Sequence, residues 1–473
     1  MSTSFSMLIN GKETGGDRPS IEVVNPATGK TIATVPDGGA EEARLAVDAA
    51  TDAFQKWSML SAYERSSYLV KWHVLINENL EDLAQTMTEE QGKPLAEARG
   101  EMNYANGFIS WYAEEAKRIY GETIPASGAG KRIFIHKQPV GVTAVITPWN
   151  FPAAMITRKV GPALAAGCTV VIKPAEQTPL TAIKLAQLAM EAGIPDGVIN
   201  VVTGDAKAIG ETWLQDQRVR KLTFTGSTEV GKLLMRGAAD TVKKISLELG
   251  GHAPAIVMDD CDLDKAVEGV VAAKFRNAGQ TCVCANRIYV HETIVDEFSE
   301  RLAERVKQLK VGNGKEEGVT IGPLIDENAI QKVQRHVDDA VKKGAKVVAG
   351  GKRQNGLFYE PTILTGVNDE MICMKEETFG PVTPITTFSS EEEVIARAND
   401  SIYGLAAYVF TENLSRGIRM SEKLEYGIVG LNDGLPSTPQ APFGGFKQSG
   451  LGREGGHYGL DEYIEVKYIS VGL

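Results

Sequence analysis

The chain is predicted to fold as two α/β domains, each built around a mostly parallel sheet. Three observations predict this. Its 473 residues suffice for about two or three buried cores. From about residue 141, short β-rich runs alternate with helical ones. After about residue 250 a second alternation of the same kind begins.

Taken in order, residues 39–58, 61–91 and 95–121 carry apolar side chains three and four positions apart and read as helices packed onto something larger. The strand candidates that follow are GVTAVITP (141–148), CTVVIKP (168–174), GVINVVTG (197–204), RKLTFTG (220–226) and KISLEL (244–249). Between the second and third lies LTAIKLAQLAMEA (180–192), a helix with Thr178 as its expected cap, Pro179 in its first turn and Gly193 at its exit. In the second half the strand candidates are NRIYV (286–290), AKVVAGG (345–351), YGLAAYVF (403–410) and GIVGLN (427–432).

Composition narrows the class. Apolar residues at 43% and charged residues at 23% are ordinary for a folded soluble chain. The net charge of −11 and the lack of a Lys/Arg run argue against a nucleic-acid partner. The longest apolar run, 160–172, falls short of the roughly 20 residues that cross a bilayer, so no membrane partner is expected. The opening MSTSFSMLINGKETGG has neither the basic nor the apolar part of a secretory signal. Five thinly spread cysteines do not make a disulfide scaffold, and a cytoplasmic setting is expected.

Two phosphate-loop lookalikes are set aside. PATGKT (26–31) lacks the earlier glycine, having Val24 there, and GLGREG (450–455) has no buried strand before it and no amphipathic helix after it. A better cradle is LTFTGSTEVGKLL, where a strand runs into Gly226 and Ser227 at a helix start, so that free N–H groups and the helix dipole would face a pyrophosphate.

KFRNAGQTCVCANR (274–287) places Cys282 and Cys284 one residue apart. No matching ligand pair supports zinc, and no metal is expected. Cys168, Cys261 and Cys373 read as core fillers. Gly279, Gln280 and Thr281 suit an exposed turn, leaving Cys282 open to reading as a nucleophile, for which it needs a base or a positive neighbour. Glu248 in SLELGG is a candidate base, its pKa raised by burial, with two glycines letting other groups approach; an ordinary exposed strand-end Glu is the alternative.

PWNFP (148–152), KPAEQTP (173–179), FTGSTEVG (224–231), LELGG (247–251), GQTC (279–282), EETFGPV (376–382) and PFGGFKQSGLGREGG (442–456) stand in the order seen in the aldehyde dehydrogenase superfamily, which the chain resembles over nearly its whole length. The resemblance implies a Rossmann-like cofactor domain (1–119 and 139–248), a second α/β catalytic domain (249–443) and a small β oligomerisation flap (120–138 and 460–473), hence a homodimer or homotetramer. It implies that Cys282 attacks an aldehyde, that Asn150 and the Cys282 N–H hold the oxyanion, and that Glu248 activates the water that hydrolyses the thioester. Glu454 resembles a secondary proton acceptor. Trp149, Gly226, Ser227, Glu377 and Phe379 resemble cofactor-binding residues, with Glu377 on the nicotinamide ribose. Neither a cysteine hydrolase nor a non-enzymatic protein needs this full set.

Lys173 and Glu176 are expected beside the adenosine ribose. A carboxylate suits the free hydroxyls of NAD and repels a 2′-phosphate by about 4 kcal/mol at about 4 Å and an effective dielectric of about 20. NAD is therefore expected to be preferred, with NADP accepted because Lys173 offsets part of the repulsion. KFRNAGQTCVC is similar to the succinate-semialdehyde dehydrogenases, which implies that Arg158, Arg276 and Ser437 hold a distal carboxylate, the alternative for either arginine being a pair with a structural acid; glutarate semialdehyde and general aliphatic aldehydes stay open as substrates. Cys284 is read either as a small buried side chain or as a redox partner of a low-pKa Cys282.

Overall fold

Strands rich in Val, Ile and Thr stack in the middle of each domain because both faces are covered, and the computed structural model, which describes residues 3–473, shows two such sheets. The first runs in the order Gly450–Leu451, Lys244–Glu248, Val219–Thr225, Val142–Ile146, Thr169–Lys173, Ile199–Val201, Met7–Ile9, Lys12–Thr14. The five strands from Lys244–Glu248 to Ile199–Val201 are mutually parallel, and the outer ones are antiparallel. In register, Ile146 lies opposite both Lys173 and Phe224, and Thr225 opposite Glu248, so these strands all end along one edge.

The second sheet runs Lys346–Ala349, Thr362–Thr365, Val382–Phe388, Ala285–His291, Ala253–Val257, Ala406–Phe410, Ile428–Leu431, all parallel except the first pair. Three of its strands escaped the sequence reading: Ala253–Val257, Thr362–Thr365 and Val382–Phe388 are short or contain a proline, Pro254 and Pro384, which weakens a local strand signal. The residues buried around this sheet form one core within 253–443, while those around the first sheet form cores with the N-terminal helices.

Those helices are Ala40–Trp57, Ala62–Glu78, Leu80–Gln91 and Leu95–Glu115. The single helix expected over 61–91 is divided at Asn79, the C-cap of one helix and the N-cap of the next. Ser61 and Glu64 start the first of the two with a reciprocal capping box. PATGKT forms the turn of a hairpin between Ser20–Asn25 and Lys30–Pro36, and GLGREG is a tight loop beside the two-residue strand Gly450–Leu451, in keeping with setting both aside.

Glu122–Ile124, Lys131–Pro139 and Ile464–Gly472 make a separate antiparallel sheet, with Ile464 opposite Pro139 and Gly472 opposite Lys131. Among the described residues no helix is long and apolar enough to cross a membrane.

One expected cap is not what the structure uses. The Thr178 hydroxyl is buried without a partner. Helix Leu180–Glu191 is capped instead by Glu90, whose carboxylate accepts from Leu180 N (2.7 Å) and Thr181 N (2.9 Å). A carboxyl from a neighbouring helix reaches two of the free N–H groups at once, which a single local hydroxyl could not.

Candidate active site

The first sheet offers its C-terminal strand ends and the second its N-terminal ones, and the candidate residues lie where they meet. Asn150, Glu176 and Gly226 follow the strands ending at Ile146, Lys173 and Thr225, and Glu248 ends its own. Cys282 and Glu377 precede the strands beginning at Ala285 and Val382. Gly250 and Gly251 join the two sheets. A Cβ on Gly251 would stand 2.1 Å from the Cys282 carbonyl oxygen, so only glycine allows this approach. Its N–H donates to Glu377 Oε1 at 3.0 Å.

The bend before Cys282 is left-handed at Asn277 (φ 51), Ala278 (φ 55) and Gly279 (φ 75). It is held by Asn277 N donating to Glu97 Oε2 at 2.8 Å, and by Gln280, which donates to Asn277 O and Pro323 O and accepts from Ile325 N. The turn expected to be exposed is therefore interior: Gln280 is 0% and Thr281 2% exposed. Their polar groups are spent on bracing the loop, which is why a polar GQT sequence fits a buried place. Cys282 itself is half-buried. Burial pushes its thiol up to about 12, with Arg158 and Arg276 pulling down and Glu377 and Glu248 pushing up. At rest Cys282 is thus a thiol, and a nucleophilic role would require a base.

Asn150 is 5% exposed and its Nδ2 donates to Gln280 O at 3.1 Å, leaving one of two amide protons free. Glu248 is 2% exposed with Oε2 unpartnered; burial first, then the charge of Glu454, raises its pKa well above the ordinary carboxylate range. An exposed strand-end Glu is excluded. Against burial, Arg158 and Lys159 hold Glu454 below its ordinary value through ion pairs with both its oxygens. Two neighbouring carboxyls are so driven apart, one toward the acid and one toward the anion.

A cavity of about 320 Å³ is lined by Trp149, Gly226, Ser227, Cys282, Glu377 and Phe379 among others. Trp149 and Phe379 meet edge to face at 5.6 Å. Glu377 has no ion-pair partner among the described residues, and burial raises it to about 7 against the Gly251 N–H. Gly226 differs from expectation: its N–H donates to Glu248 O at 3.0 Å and is not free for a phosphate. Its lack of a Cβ serves packing, since one would meet the Phe224 ring at 2.3 Å. Ser227 caps helix Thr228–Ala239 by accepting from Val230 N. Lys173 pairs with Glu176, beyond the cavity at the strand end. The largely apolar and neutral lining, with Lys332 and the unpaired Glu377 as its charged groups, and the helix start suit a nicotinamide nucleotide.

On the other side of Cys282 the two arginines part company. Arg158 is 1% exposed, ion-paired to Glu454 and lies over the Phe443 ring at 4.1 Å. The guanidinium expected to hold substrate is therefore engaged at Nε by Glu454 from the GLGREG loop, while its Nη2 is buried without a hydrogen-bond partner. Arg276 lies over Phe151 at 5.2 Å and is paired with no carboxylate among the described residues. Ser437 is half-buried in the loop before Pro439 and makes no side-chain hydrogen bond with either arginine.

The model of the aldehyde dehydrogenase family matches residues 13–469. This chain belongs to that family. It is 57% identical to a succinate-semialdehyde dehydrogenase [NADP(+)] of Escherichia coli over 469 residues, 98% of this chain and 97% of the relative. It is 58% identical to a glutarate-semialdehyde dehydrogenase of Pseudomonas putida over 466 residues, 98% and 97% of the two chains. The crystal structure of an aldehyde dehydrogenase from Brucella melitensis biovar abortus superposes with a TM-score of 0.98 at 60% identity, covering 99% of this chain and 97% of that one.

Several residues of this aldehyde dehydrogenase site gave no local signal. Tyr104 has its pKa raised by burial, while the charges of Arg158 and Arg276 both pull it down. Lys159 donates to Thr225 Oγ1 at 2.5 Å besides pairing with Glu454. Lys93, Glu97 and Glu101 come from a helix turn far away in sequence; only the run of charges in QGKPLAEARGE was there to be noticed. Cys284 is 0% exposed, with Lys274 Nζ 3.3 Å from its sulfur. Burial raises both Cys282 and Cys284, so the low-pKa, exposed thiol on which the redox pairing was expected to depend is absent from the resting chain. Cys168 and Cys373 are core residues and Cys261 packs at the edge of one. Among the described residues no cluster of three or more His, Cys, Asp and Glu could hold a metal ion.

Proposed function

We propose that the chain oxidises succinate semialdehyde to succinate with NAD(P), NAD preferred, through a thioester on Cys282. The observation that carries the substrate reading is Arg276, a guanidinium with no carboxylate partner among the described residues, whose charge reaches both Cys282 and Tyr104. A carboxylate at the far end of a four-carbon chain would give it a bidentate partner. Arg158 would assist through its charge and Ser437 through its hydroxyl.

The cofactor would be held by Trp149, Ser227, Glu377 and Phe379 around the nicotinamide and pyrophosphate, with Gly226 only lining the wall, and by Lys173 and Glu176 at the adenosine ribose. When bound, it supplies the hydride acceptor. Glu248, unpartnered and raised in pKa, takes the Cys282 proton as Sγ bonds to the carbonyl carbon. The resulting thiohemiacetal oxyanion accepts from the free Asn150 Nδ2–H and the Cys282 N–H. After oxidation to the thioester, Glu248 gives up the thiol proton to solvent and then deprotonates the attacking water; the C–S bond breaks, Cys282 leaves as a thiolate that is reprotonated, and the carboxylic acid leaves. Glu454, anionic between two cations, would be the secondary proton acceptor that the family resemblance implies, and its charge is one cause of the raised Glu248 pKa.

NAD preference rests on the Lys173–Glu176 pair, which leaves no free cation there for a 2′-phosphate. Glutarate semialdehyde is the second reading, favoured by the P. putida relative. The strand Ile464–Gly472 has an unpaired outer edge and exposes Val466 (66%) and Tyr468 (57%), which supports the flap as an oligomerisation element of a homodimer or homotetramer. Five free cysteines fit a cytoplasmic setting.

The deciding experiment is kcat/KM with NAD for succinate semialdehyde against butanal, the same chain without its carboxylate. Rejection of butanal by several powers of ten is expected, because the guanidinium would lose its partner. Near-equal values would overturn the semialdehyde reading and leave a general aldehyde dehydrogenase.

A further inference from the structure

Lys93 is a buried cation with nothing to do in the steps above. It is 2% exposed, and its ammonium group donates to Glu101 Oε2 at 2.5 Å and to the backbone oxygen of Asn150 at 2.7 Å, while lying 4.0 Å from the Phe151 ring centroid. Every direction of the ammonium is thus accounted for. Glu101 turns its other oxygen to Ala153 N (3.0 Å) and Ala154 N (3.2 Å), capping helix Ala154–Ala166, whose own N-cap residue is Ala153 and has no capping side chain. That helix carries Arg158 and Lys159.

The contacts converge on one peptide unit. The Asn150 carbonyl accepts from Lys93 and from Asn277 Nδ2 (3.0 Å), and the Asn150 side-chain oxygen accepts from Phe151 N (3.1 Å). With both oxygens held, the only direction left to the Asn150 NH₂ group is toward Gln280 O and the space by Cys282. A bond from a buried ammonium to a backbone carbonyl is charge-assisted and stronger than a neutral hydrogen bond. Gly92, with φ +93 and a Cβ position 2.6 Å from Pro323 Cγ, lets the chain turn sharply enough to deliver Lys93 here.

We propose that Lys93, charged and oriented by Glu101, is a positioning residue for the oxyanion donor: it fixes the Asn150 peptide plane, and thereby the amide that meets the developing oxyanion. The proposal rests on the reading of Asn150 as that donor. Misplacement of a donor by a fraction of an ångström weakens its transition-state bond more than substrate or cofactor binding, so the loss falls on kcat.

The test is a cycle of Lys93→Met, Asn150→Ala and the double variant, with KM for aldehyde and NAD, kcat, and Cys282 alkylation rate measured for each. Lys93→Met is expected to lower kcat about ten- to a hundredfold, with both KM values and alkylation within about twofold of the parent. In the Asn150→Ala background the same change is expected to cost nothing further. Multiplying losses would overturn the proposal. Because Lys93→Met strands a buried carboxylate, Lys93→Met/Glu101→Gln is made beside it; the expected result is recovered thermal stability with kcat still low. Recovered kcat would show a merely structural role and overturn the proposal. Unaltered turnover in Asn150→Ala alone would instead remove the oxyanion reading, and the proposal with it.

Discussion

Arg158 and Glu454 form an ion pair with side chains only 1% and 3% exposed, and Lys159 closes on the same carboxylate from its other oxygen. A loop that looks like a nucleotide-binding glycine motif thereby supplies the charge that organises the interior. The pair sets the electrostatics of Glu248, which feels Glu454 as a like charge and the two cations as counter-charges.

Replacing Glu454 by Gln tests that coupling. It removes the neighbouring negative charge and leaves Arg158 and Lys159 uncompensated, both of which favour ionised Glu248, so the Glu248 pKa falls. The ascending limb of kcat against pH is expected to move to lower pH. Breaking such a buried pair costs about 3–5 kcal/mol, so the melting temperature also drops. An unmoved limb would separate Glu248 from Glu454.

Cys282 labelling gives a second, opposite sign. With its thiol pushed up to about 12, chiefly by burial, alkylation by iodoacetamide is expected to be slow at neutral pH and still rising above pH 9. Ionised Glu248 contributes to that rise, so Glu248→Gln is expected to speed labelling while slowing turnover and thioester hydrolysis. Slower labelling would mean that Glu248 assists even the alkylation as a base.

Cofactor choice is tested at Glu176. Glu176→Ser releases Lys173 from its ion pair and removes a repulsive carboxylate. Two like charges at about 4 Å cost about 4 kcal/mol at an effective dielectric of about 20, and Glu176 is partly solvated, so the NADP to NAD ratio of kcat/KM is expected to rise by roughly ten- to a hundredfold.

Glu90 carries a stability prediction. Burial raises it to about 7, although Thr181 and Leu180 donate to it. The folded state therefore keeps a proton that the unfolded state releases near its ordinary value of 4.5, and the Glu90 contribution is full below that value and lost as pH rises toward 7. The change is about 3 kcal/mol at about 1.4 kcal/mol per unit. Urea unfolding of Glu90→Gln from pH 4.5 to 7.5 is expected to show a flatter dependence than the parent. Thr178→Val, removing a hydroxyl without a partner, is expected to shift stability by less than about 0.5 kcal/mol.

What the sequence determined by itself lies within short reach along the chain. The βα rhythm, the glycines after Glu248 and the polar turn before Cys282 are visible because a strand's period, a left-handed bend and a close backbone approach each demand particular residues within a few positions. The same local logic placed Cys282, Asn150 and Glu248 in the motifs that carry the family resemblance. Charge pairing was not legible. Arg158 looked like a free substrate anchor, Thr178 like a cap and Gly226 like a phosphate donor, until tertiary structure brought Glu454, Glu90 and the Glu248 carbonyl to them. Lys159 and Glu454 stand 295 residues apart in sequence and Glu90 stands 90 from the helix it caps. Whether a buried charge is free or spent depends on which strand ends the two sheets bring together, and no window along the chain contains that information.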